Sequence, residues 1–189
     1  MTLPPDPAPK IFQTLDRTAS YPYTRSEYIR RYFWLVIQNT LFRLPLPRAY
    51  AWRRFWLRMF GAKLGVAAAV HSTTKILHPW LFEMGDWSNL SSGVVVYNLG
   101  AVKVGHHTVI SQDVYLCAGT HDYTVPNLPL LREPITIGHG VWIAAGAFIG
   151  PGVAVGDNSV VGARAVVMTD VPANVVVAGN PARVLKPRA

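Results

Sequence analysis

The stretch that decides the fold is residues 137–168, which read IGHGVWIAAGAFIGPGVAVGDNSVVGARAVVM. An aliphatic residue recurs there at every sixth position, and the residue after it is usually small. The recurring residues are Ile137, Ile143, Ile149, Val155, Val161 and Val167. A period of six is neither the period of about 3.6 of an amphipathic helix nor the period of about 2 of a simple strand. It predicts a parallel β-solenoid, in which each hexad is a short strand with a corner and the aliphatic side chain points into a narrow core.

The same frame extends toward the N-terminus with interruptions. If three hexads make one triangular turn, the coils are 64–81, 84–101, 104–121, 137–154 and 155–172. Residues 82–83, 102–103 and 122–136 are then insertions, and all of them fall at the same corner of the triangle, which random placement would rarely give. We therefore expect a helical extension over 1–63, a hexapeptide-repeat β-helix over 64–172 with an inserted loop at 122–136, and a C-terminal tail over 173–189.

The extension differs chemically from the repeat. Residues 1–63 carry eleven Lys and Arg against three acidic residues, whereas residues 64–189 carry seven of each sign. Two segments, 26–44 and 49–60, place aliphatic and aromatic residues at helical spacing with arginines among them. Such helices could dock residues 1–60 peripherally on an anionic membrane surface, or they could cap the open end of the solenoid. Both roles could hold at once.

Composition excludes several classes of protein. The lone Cys117 rules out a disulfide framework and a Cys-rich zinc module, and it fits a reducing, cytoplasmic location. The longest strongly apolar stretch, between Arg31 and Arg43, has 11 residues, against about 20 needed to span a bilayer. We therefore expect no transmembrane helix, and at most peripheral contact with the inner membrane face. No nucleic-acid-binding motif is present and the repeat is neutral, so no nucleic-acid partner is expected.

The repeat, together with the ending DVPANVVVAGNPARV at residues 170–184, resembles the hexapeptide-repeat acyltransferases. The chain is most similar to the acetyltransferases assigned to colanic acid biosynthesis, through LCAGTHDY at 116–123, LRMFGAKLG at 57–65, and Pro79-Trp80 followed by Met84-Gly85-Asp86. The resemblance implies a left-handed parallel β-helix of about five coils and a homotrimer. It also implies acetyl-CoA as co-substrate with no metal, and a sugar or lipid-linked oligosaccharide acceptor in exopolysaccharide biosynthesis.

One histidine stands out as a candidate catalytic residue. His121 ends coil 104–121 directly before the longest insertion, and long loops on a rigid scaffold commonly carry function. Acyl transfer to a hydroxyl needs a general base near neutral pH, which imidazole supplies without large pKa tuning. The family's catalytic histidine also falls at this place, so we expect His121 to be the base. The other histidines, which we expect to be structural or exposed, are His71, His78, His106, His107 and His139.

The group that orients His121 is left open by the sequence. Asp122 is adjacent to it, and Asn98 comes from the preceding coil with Tyr97 beside it. Related sugar acetyltransferases use a polar residue, often Asn, one coil before the histidine. Tyr97, Asn98 and Ser91 compete for that orienting or acceptor-binding role.

The resemblance also suggests where coenzyme A binds. In relatives, backbone groups of the coils after the histidine hold the pantetheine arm, and basic tail residues meet the phosphates. Carried over by motif, these positions are Trp142, Ala145, Ala163, Arg183 and Lys186. Small residues suit close approach of a ligand to the backbone.

Three other functions compete with sugar O-acetylation. The acceptor could be an amine, which would make the protein an amino-sugar N-acetyltransferase. β-Helices of this kind also host zinc carbonic anhydrases, but these need three histidines, including a His-x4-His pair, and no pair here has that spacing. A non-catalytic scaffold or binding protein is the third alternative.

Overall fold

The computed structural model describes residues 13–14, 23–44 and 48–188. It contains helices α1 (Arg25–Asn39) and α2 (Tyr50–Met59) and a short 3-10 helix at Pro79–Leu81. The strands are β1 (Lys63–Leu64), β2 (Ala69–Val70), β3 (Lys75–Ile76), β4 (Phe82–Met84), β5 (Asn89–Leu90), β6 (Val95–Tyr97), β7 (Val102–Val104), β8 (Val109–Ile110), β9 (Tyr115–Cys117), β10 (Thr120–His121), β11 (Leu130–Leu131), β12 (Ile135–Ile137), β13 (Trp142–Ile143), β14 (Phe148–Ile149), β15 (Ala154–Val155), β16 (Val160–Val161), β17 (Val166–Val167), β18 (Val175–Gly179) and β19 (Ala182–Pro187).

The chain winds as the parallel β-solenoid that the six-residue period predicts. Its three faces are face A (β1-β4-β7-β12-β15), face B (β2-β5-β8-β13-β16-β18, with β19 at the edge) and face C (β3-β6-β9-β14-β17). The register stacks the recurring aliphatic residues directly, for example Met84 on Val104 and Val104 on Ile137. These side chains form one buried core along the solenoid. The predicted parallel β-solenoid is therefore confirmed, and residues 82–83 and 102–103, expected as insertions, lie within strands β4 and β7.

Where a glycine follows the aliphatic position, close stacking of the turns requires it. A Cβ atom on Gly105 would lie 2.5 Å from the carbonyl oxygen of Gly138 in the next turn. A real Cβ cannot approach a backbone atom so closely, so a side chain there would push neighbouring turns apart. An aliphatic residue followed by a glycine in the sequence therefore indicates that the backbones of neighbouring turns lie close together.

The solenoid has about six turns rather than the expected five. Val171 forms a parallel bridge to Val155, and β18 pairs in parallel with β16 on face B. Strand β19 then folds back antiparallel onto β18. Val171 follows Val167 by four residues instead of six, so the sixth turn falls out of the hexad frame, which ended at residue 172.

The two helices cap the first turn of the solenoid. Thr24 and Glu27 form a capping box that begins α1. From α1, the indole Nε1 of Trp34 donates to the carbonyl of Ile76 at 2.6 Å, and the amide of Ile76 donates to Gln38 at 2.7 Å. Trp34 also joins the buried core. The helices therefore supply the apolar cover that an open solenoid end needs.

Within the described part of the chain, neither helix combines the length and the apolar character that crossing a bilayer requires.

Candidate active site

His121 lies on a short ribbon that leaves the solenoid at the corner between faces C and A. Strand β10, which follows β9 by two residues, pairs antiparallel with β11, and His121 is opposite Leu130. The ribbon is the base of the inserted loop, and it holds the imidazole at the surface, where His121 is exposed. A rigid scaffold thus presents this side chain to solvent, as expected for a residue that meets a substrate.

A backbone carbonyl orients the imidazole of His121. Its Nδ1 atom lies 2.7 Å from the carbonyl oxygen of Leu128, in the same loop. A carbonyl oxygen can only accept a hydrogen bond, so Nδ1 carries the hydrogen. In the neutral ring the lone pair is then on Nε2, which is the arrangement that a general base needs.

Asp122 is turned toward its own loop. Its Oδ1 accepts hydrogen bonds from the hydroxyl of Thr124 at 2.6 Å and from the amide of Thr124 at 2.9 Å. These two bonds hold the pKa of Asp122 below its ordinary value, the hydroxyl contributing most. The carboxylate stabilises the start of the loop, and it does not hold Nδ1 of His121.

The Asn98 side chain clamps the corner of the first turn. It is fully buried, its Oδ1 accepts from the amide of His78 at 2.8 Å, and its Nδ2 donates to the carbonyl of His78 at 2.6 Å. Tyr97 is half-buried on face C, with its ring 6.1 Å from that of Tyr115. Neither residue orients His121, and their role in acceptor binding stays a prediction.

His78 is a buried neutral histidine. Burial lowers its pKa to about 4, although the hydrogen bond to the carbonyl of Asn98 at 2.9 Å opposes that shift. The ring packs against Tyr23 and Trp80, with centroids 5.6 and 4.9 Å away. It serves the packing between the helical cap and the first turn.

The residues expected to bind coenzyme A lie on another part of the triangle. Trp142 is on face B, where its indole donates to the hydroxyl of Ser111 at 3.0 Å, and Ala145 and Ala163 are at the corner between faces B and C. Arg183 and Lys186 are exposed on β19 at the edge of face B. Within one chain, face C lies between these expected coenzyme A-binding residues and His121.

Two further histidines form a structural ladder at the corner between faces A and B. The amide of Asp86 donates to Nδ1 of His106, and the amide of His106 donates to Nδ1 of His139, both at 2.9 Å. The amide of His139 donates in turn to Asp157 at 2.7 Å. No residue pattern predicts these bonds, which link successive turns.

A groove of about 560 Å³ follows this ladder and face A. It lies at a different corner from His121, so it is not the place where that base could act. In the described residues, no group of three or more His, Cys, Asp or Glu side chains is arranged to hold a metal ion.

Comparison with known proteins defines the class. The bacterial transferase hexapeptide family (six repeats) matches residues 134–168. A hexapeptide-repeat acetyltransferase of Vibrio cholerae, solved with acetyl coenzyme A, superimposes with a TM-score of 0.82 at 25% identity, covering 93% of this chain and 96% of the other. A galactoside acetyltransferase solved with coenzyme A gives a TM-score of 0.73 at 26% identity over 89% and 86% of the two chains.

The fold and these matches define a hexapeptide-repeat transferase. The chain is 42% identical over 160 residues to WcaF of Escherichia coli K12, which is named for a proposed role as an acetyltransferase in colanic acid biosynthesis. The match covers 85% of this chain and 88% of WcaF. The chain therefore belongs to the WcaF family of hexapeptide-repeat acetyltransferases.

Proposed function

We propose that this protein transfers an acetyl group from acetyl-CoA to a hydroxyl of a sugar used in exopolysaccharide synthesis, with Nε2 of His121 as general base. The observation that carries the proposal is the contact between Nδ1 of His121 and the Leu128 carbonyl, because it leaves Nε2 as the basic nitrogen. Support for the substrates comes from WcaF and from the neighbours solved with acetyl coenzyme A and coenzyme A.

The chemistry needs one base and no covalent enzyme intermediate. Nε2 of His121 accepts the proton of the acceptor hydroxyl while the oxygen attacks the thioester carbonyl carbon. The tetrahedral intermediate collapses, the carbon–sulfur bond breaks, and the coenzyme A thiolate takes the proton back from Nε2. The acetyl ester and the thiol are the products, and the imidazole returns to its starting state.

The active assembly is a homotrimer in this proposal. Ala145 and Ala163 line the corner between faces B and C, whereas His121 stands at the corner between faces C and A. A pantetheine arm held along the first corner would meet a histidine at the second corner when that histidine belongs to a neighbouring copy. Three copies around a threefold axis would close this arrangement into three equivalent sites.

Mixed trimers test the shared site. His121→Ala removes the base, and Ala145→Trp fills the expected coenzyme A groove, so each variant alone should be inactive. Co-expressed variants should regain part of the activity, because some interfaces then combine an intact histidine with an intact groove. A fully active monomer in sedimentation, or co-expressed subunits that associate and stay inactive, would contradict a site shared between copies.

The outer surface of the helical cap docks on an anionic membrane in this proposal. Along α1, the side chains of Ile29, Tyr32, Phe33 and Val36 share one helical face, and 44 to 66% of each is exposed. This face is opposite the buried Trp34. Exposed aromatic residues suit the headgroup level, and arginines near an anionic leaflet contribute about 1 kcal/mol each.

Flotation with vesicles tests the docking. Phosphatidylserine vesicles should recover the full chain at low salt and release it at high salt, and neutral phosphatidylcholine vesicles should recover little. Phe33→Ser should weaken recovery. Val184→Ser, which changes an apolar residue 54% exposed at the opposite end of the solenoid, is the matched control. Equal recovery by both kinds of vesicle would contradict electrostatic docking.

The proposed reaction is tested by thiol release. The full chain is supplied with acetyl-CoA and a panel of sugars and amino sugars, and the products are treated with alkaline hydroxylamine. An O-acetyl ester is cleaved, whereas an N-acetyl amide is stable. A hydroxylamine-labile product supports the proposal, a stable product supports amino-sugar N-acetylation, and no release with any acceptor would favour a scaffold.

A further inference from the structure

Two residues of the N-terminal extension contact the inserted loop that follows His121. The amide of Thr14 donates to the carbonyl of Pro126 at 3.1 Å. The guanidinium carbon of Arg132, toward the end of the loop, lies 4.7 Å from the ring centroid of Tyr23. The extension therefore holds the loop at two separate places. We call Thr14 and Tyr23 the loop anchors.

The hydrophobic core does not hold this loop. All residues from 122 to 134 are described, and none of their side chains belongs to the buried core or to the apolar side chains packed against it. Tyr123 is 79% exposed and Val125 is 37% exposed. Segments with few core contacts open most easily in a native protein. The conformation of the loop therefore depends on individual hydrogen bonds and ring contacts, and the loop anchors supply two of them.

The first loop anchor is linked to the candidate base through one turn. Pro126 is the second residue of this turn, which is closed by a hydrogen bond from the amide of Leu128 to the carbonyl of Val125 at 3.1 Å. Thr14 bonds to the carbonyl of Pro126, and the carbonyl of Leu128 lies 2.7 Å from Nδ1 of His121. A displacement of the turn would therefore move the carbonyl that orients the imidazole.

The second loop anchor fixes the other strand of the ribbon. Arg132 directly follows β11, in which Leu130 is opposite His121. Tyr23 is half-buried just before α1, and its ring centroid lies 5.6 Å from that of His78 in the first turn of the solenoid. The contact between Tyr23 and Arg132 thus ties the end of β11 to the part of the molecule where the helical cap meets the solenoid.

We propose that Thr14 and Tyr23 are positioning residues, which hold the inserted loop so that the carbonyl of Leu128 stays on Nδ1 of His121. This inference rests on the proposed function. Without that carbonyl the neutral imidazole can carry its hydrogen on either nitrogen, and only the Nδ1–H form leaves Nε2 free to accept a proton. This role of the extension is separate from capping the solenoid and from docking on a membrane.

Hydrogen exchange of the full chain tests whether Thr14 holds the loop. Proline has no N–H, so Thr14→Pro removes the hydrogen bond to Pro126, whereas Thr14→Ala keeps it. Gln13→Pro is the matched control, because it adds a proline one residue earlier and leaves the amide of Thr14 in place. In Thr14→Pro the peptide that contains Leu128 should exchange about 2- to 10-fold faster, which is the effect of one hydrogen bond. The other two variants should exchange at the native rate.

Two substitutions of Tyr23 test the second loop anchor in the same experiment. Phenylalanine keeps an aromatic face for the guanidinium of Arg132, and leucine does not. Exchange of β11 should stay near the native rate in Tyr23→Phe and become about 2- to 5-fold faster in Tyr23→Leu. Neither loop anchor is in the buried core, so the Tm should stay close to native. Native exchange in both Thr14→Pro and Tyr23→Leu would overturn the inference.

The tautomer of His121 tests whether the loop anchors position the base. Nitrogen chemical shifts of labelled histidine distinguish Nδ1–H from Nε2–H, and His121→Ala assigns the signal. In alkaline buffer the native chain should hold mainly the Nδ1–H form, and Thr14→Pro should contain more of the Nε2–H form. The same variant should lower kcat and leave the KM for acetyl-CoA unchanged, because the expected coenzyme A-binding residues lie elsewhere on the triangle.

A native tautomer ratio in Thr14→Pro, despite faster exchange of the loop, would overturn the positioning role. The exchange and tautomer measurements need no acetyl acceptor, so they separate a failure of this inference from a failure of the proposed function.

Discussion

The Nδ1 atom of His121 and the backbone carbonyl of Leu128 lie 2.7 Å apart, and this contact fixes which ring nitrogen can act as a base. Leu128 has a φ of 46°, in the left-handed region that side chains other than glycine seldom adopt. Its amide donates to the carbonyl of Val125 at 3.1 Å. The loop conformation and the tautomer of the histidine are therefore coupled.

Changing the backbone at Leu128 should slow the reaction. Proline fixes φ near −65° and has no N–H, so Leu128→Pro should move the carbonyl away from His121. We expect kcat to fall by about 10- to 100-fold, because the base loses its orientation, while the KM for acetyl-CoA changes little. Leu128→Gly accepts the same φ and keeps the carbonyl, and it should retain most of the turnover. Equal losses in both variants would show that the side chain matters instead.

His78 should make the fold sensitive to acid. Its pKa is about 4 in the folded state, and an unfolded histidine titrates near 6.5. The unfolded chain therefore binds more protons between these values, so the stability from neutral His78 is complete above about pH 6.5 and is lost as the pH falls toward 4. His78→Gln should flatten the decline of Tm over this range, whereas His71→Gln should not. Parallel curves for His78→Gln and the native chain would contradict this assignment.

The glycines at the corners should differ sharply in how much their substitution lowers the free energy of unfolding. Gly105→Ala should cost about 1–3 kcal/mol in unfolding free energy, because its Cβ would meet Gly138 in the next turn. Gly140 has a φ of 63° and open space around a Cβ, and Asn158 and Asn174 occupy equivalent corners with φ of 54° and 59°. Gly140→Asn should change stability by less than about 0.5 kcal/mol in chemical denaturation. The reverse order would refute the close-packing explanation.

The repeat could be predicted from the sequence because each hexad makes the same contacts as its neighbours. The frame placed Met84, Val104 and Ile137 in one stack, as observed. The sixth turn was missed because Val171 follows Val167 by four residues, which shifts β18 out of the hexad frame. Helical spacing also predicted the helices but not which side is buried. Helix α1 buries Trp34 and Gln38 and leaves the face that carries Ile29 and Phe33 exposed. Both sides carry apolar residues, so periodicity could not separate them.

The position of the candidate site stays a prediction from the sequence, and the contacts that His121 makes could not be predicted from it. His121 was identified because it ends a coil before a long insertion. Its orienting partner is a main-chain carbonyl, and any residue type supplies one, so no side-chain pattern could identify Leu128. Asn98 and Asp122 were reasonable candidates by type, but both make local hydrogen bonds elsewhere.

The account depends most directly on His121 as the base. The measurement is the rate of coenzyme A release from acetyl-CoA with a sugar acceptor, for the native chain, for His121→Ala, and for His107→Asn, an exposed corner residue with φ 54°. The account predicts that His121→Ala loses about 10²- to 10⁴-fold in rate while binding of acetyl-CoA and Tm stay close to native, and that His107→Asn keeps its activity. A His121→Ala variant that retains more than about a tenth of the native turnover would contradict it.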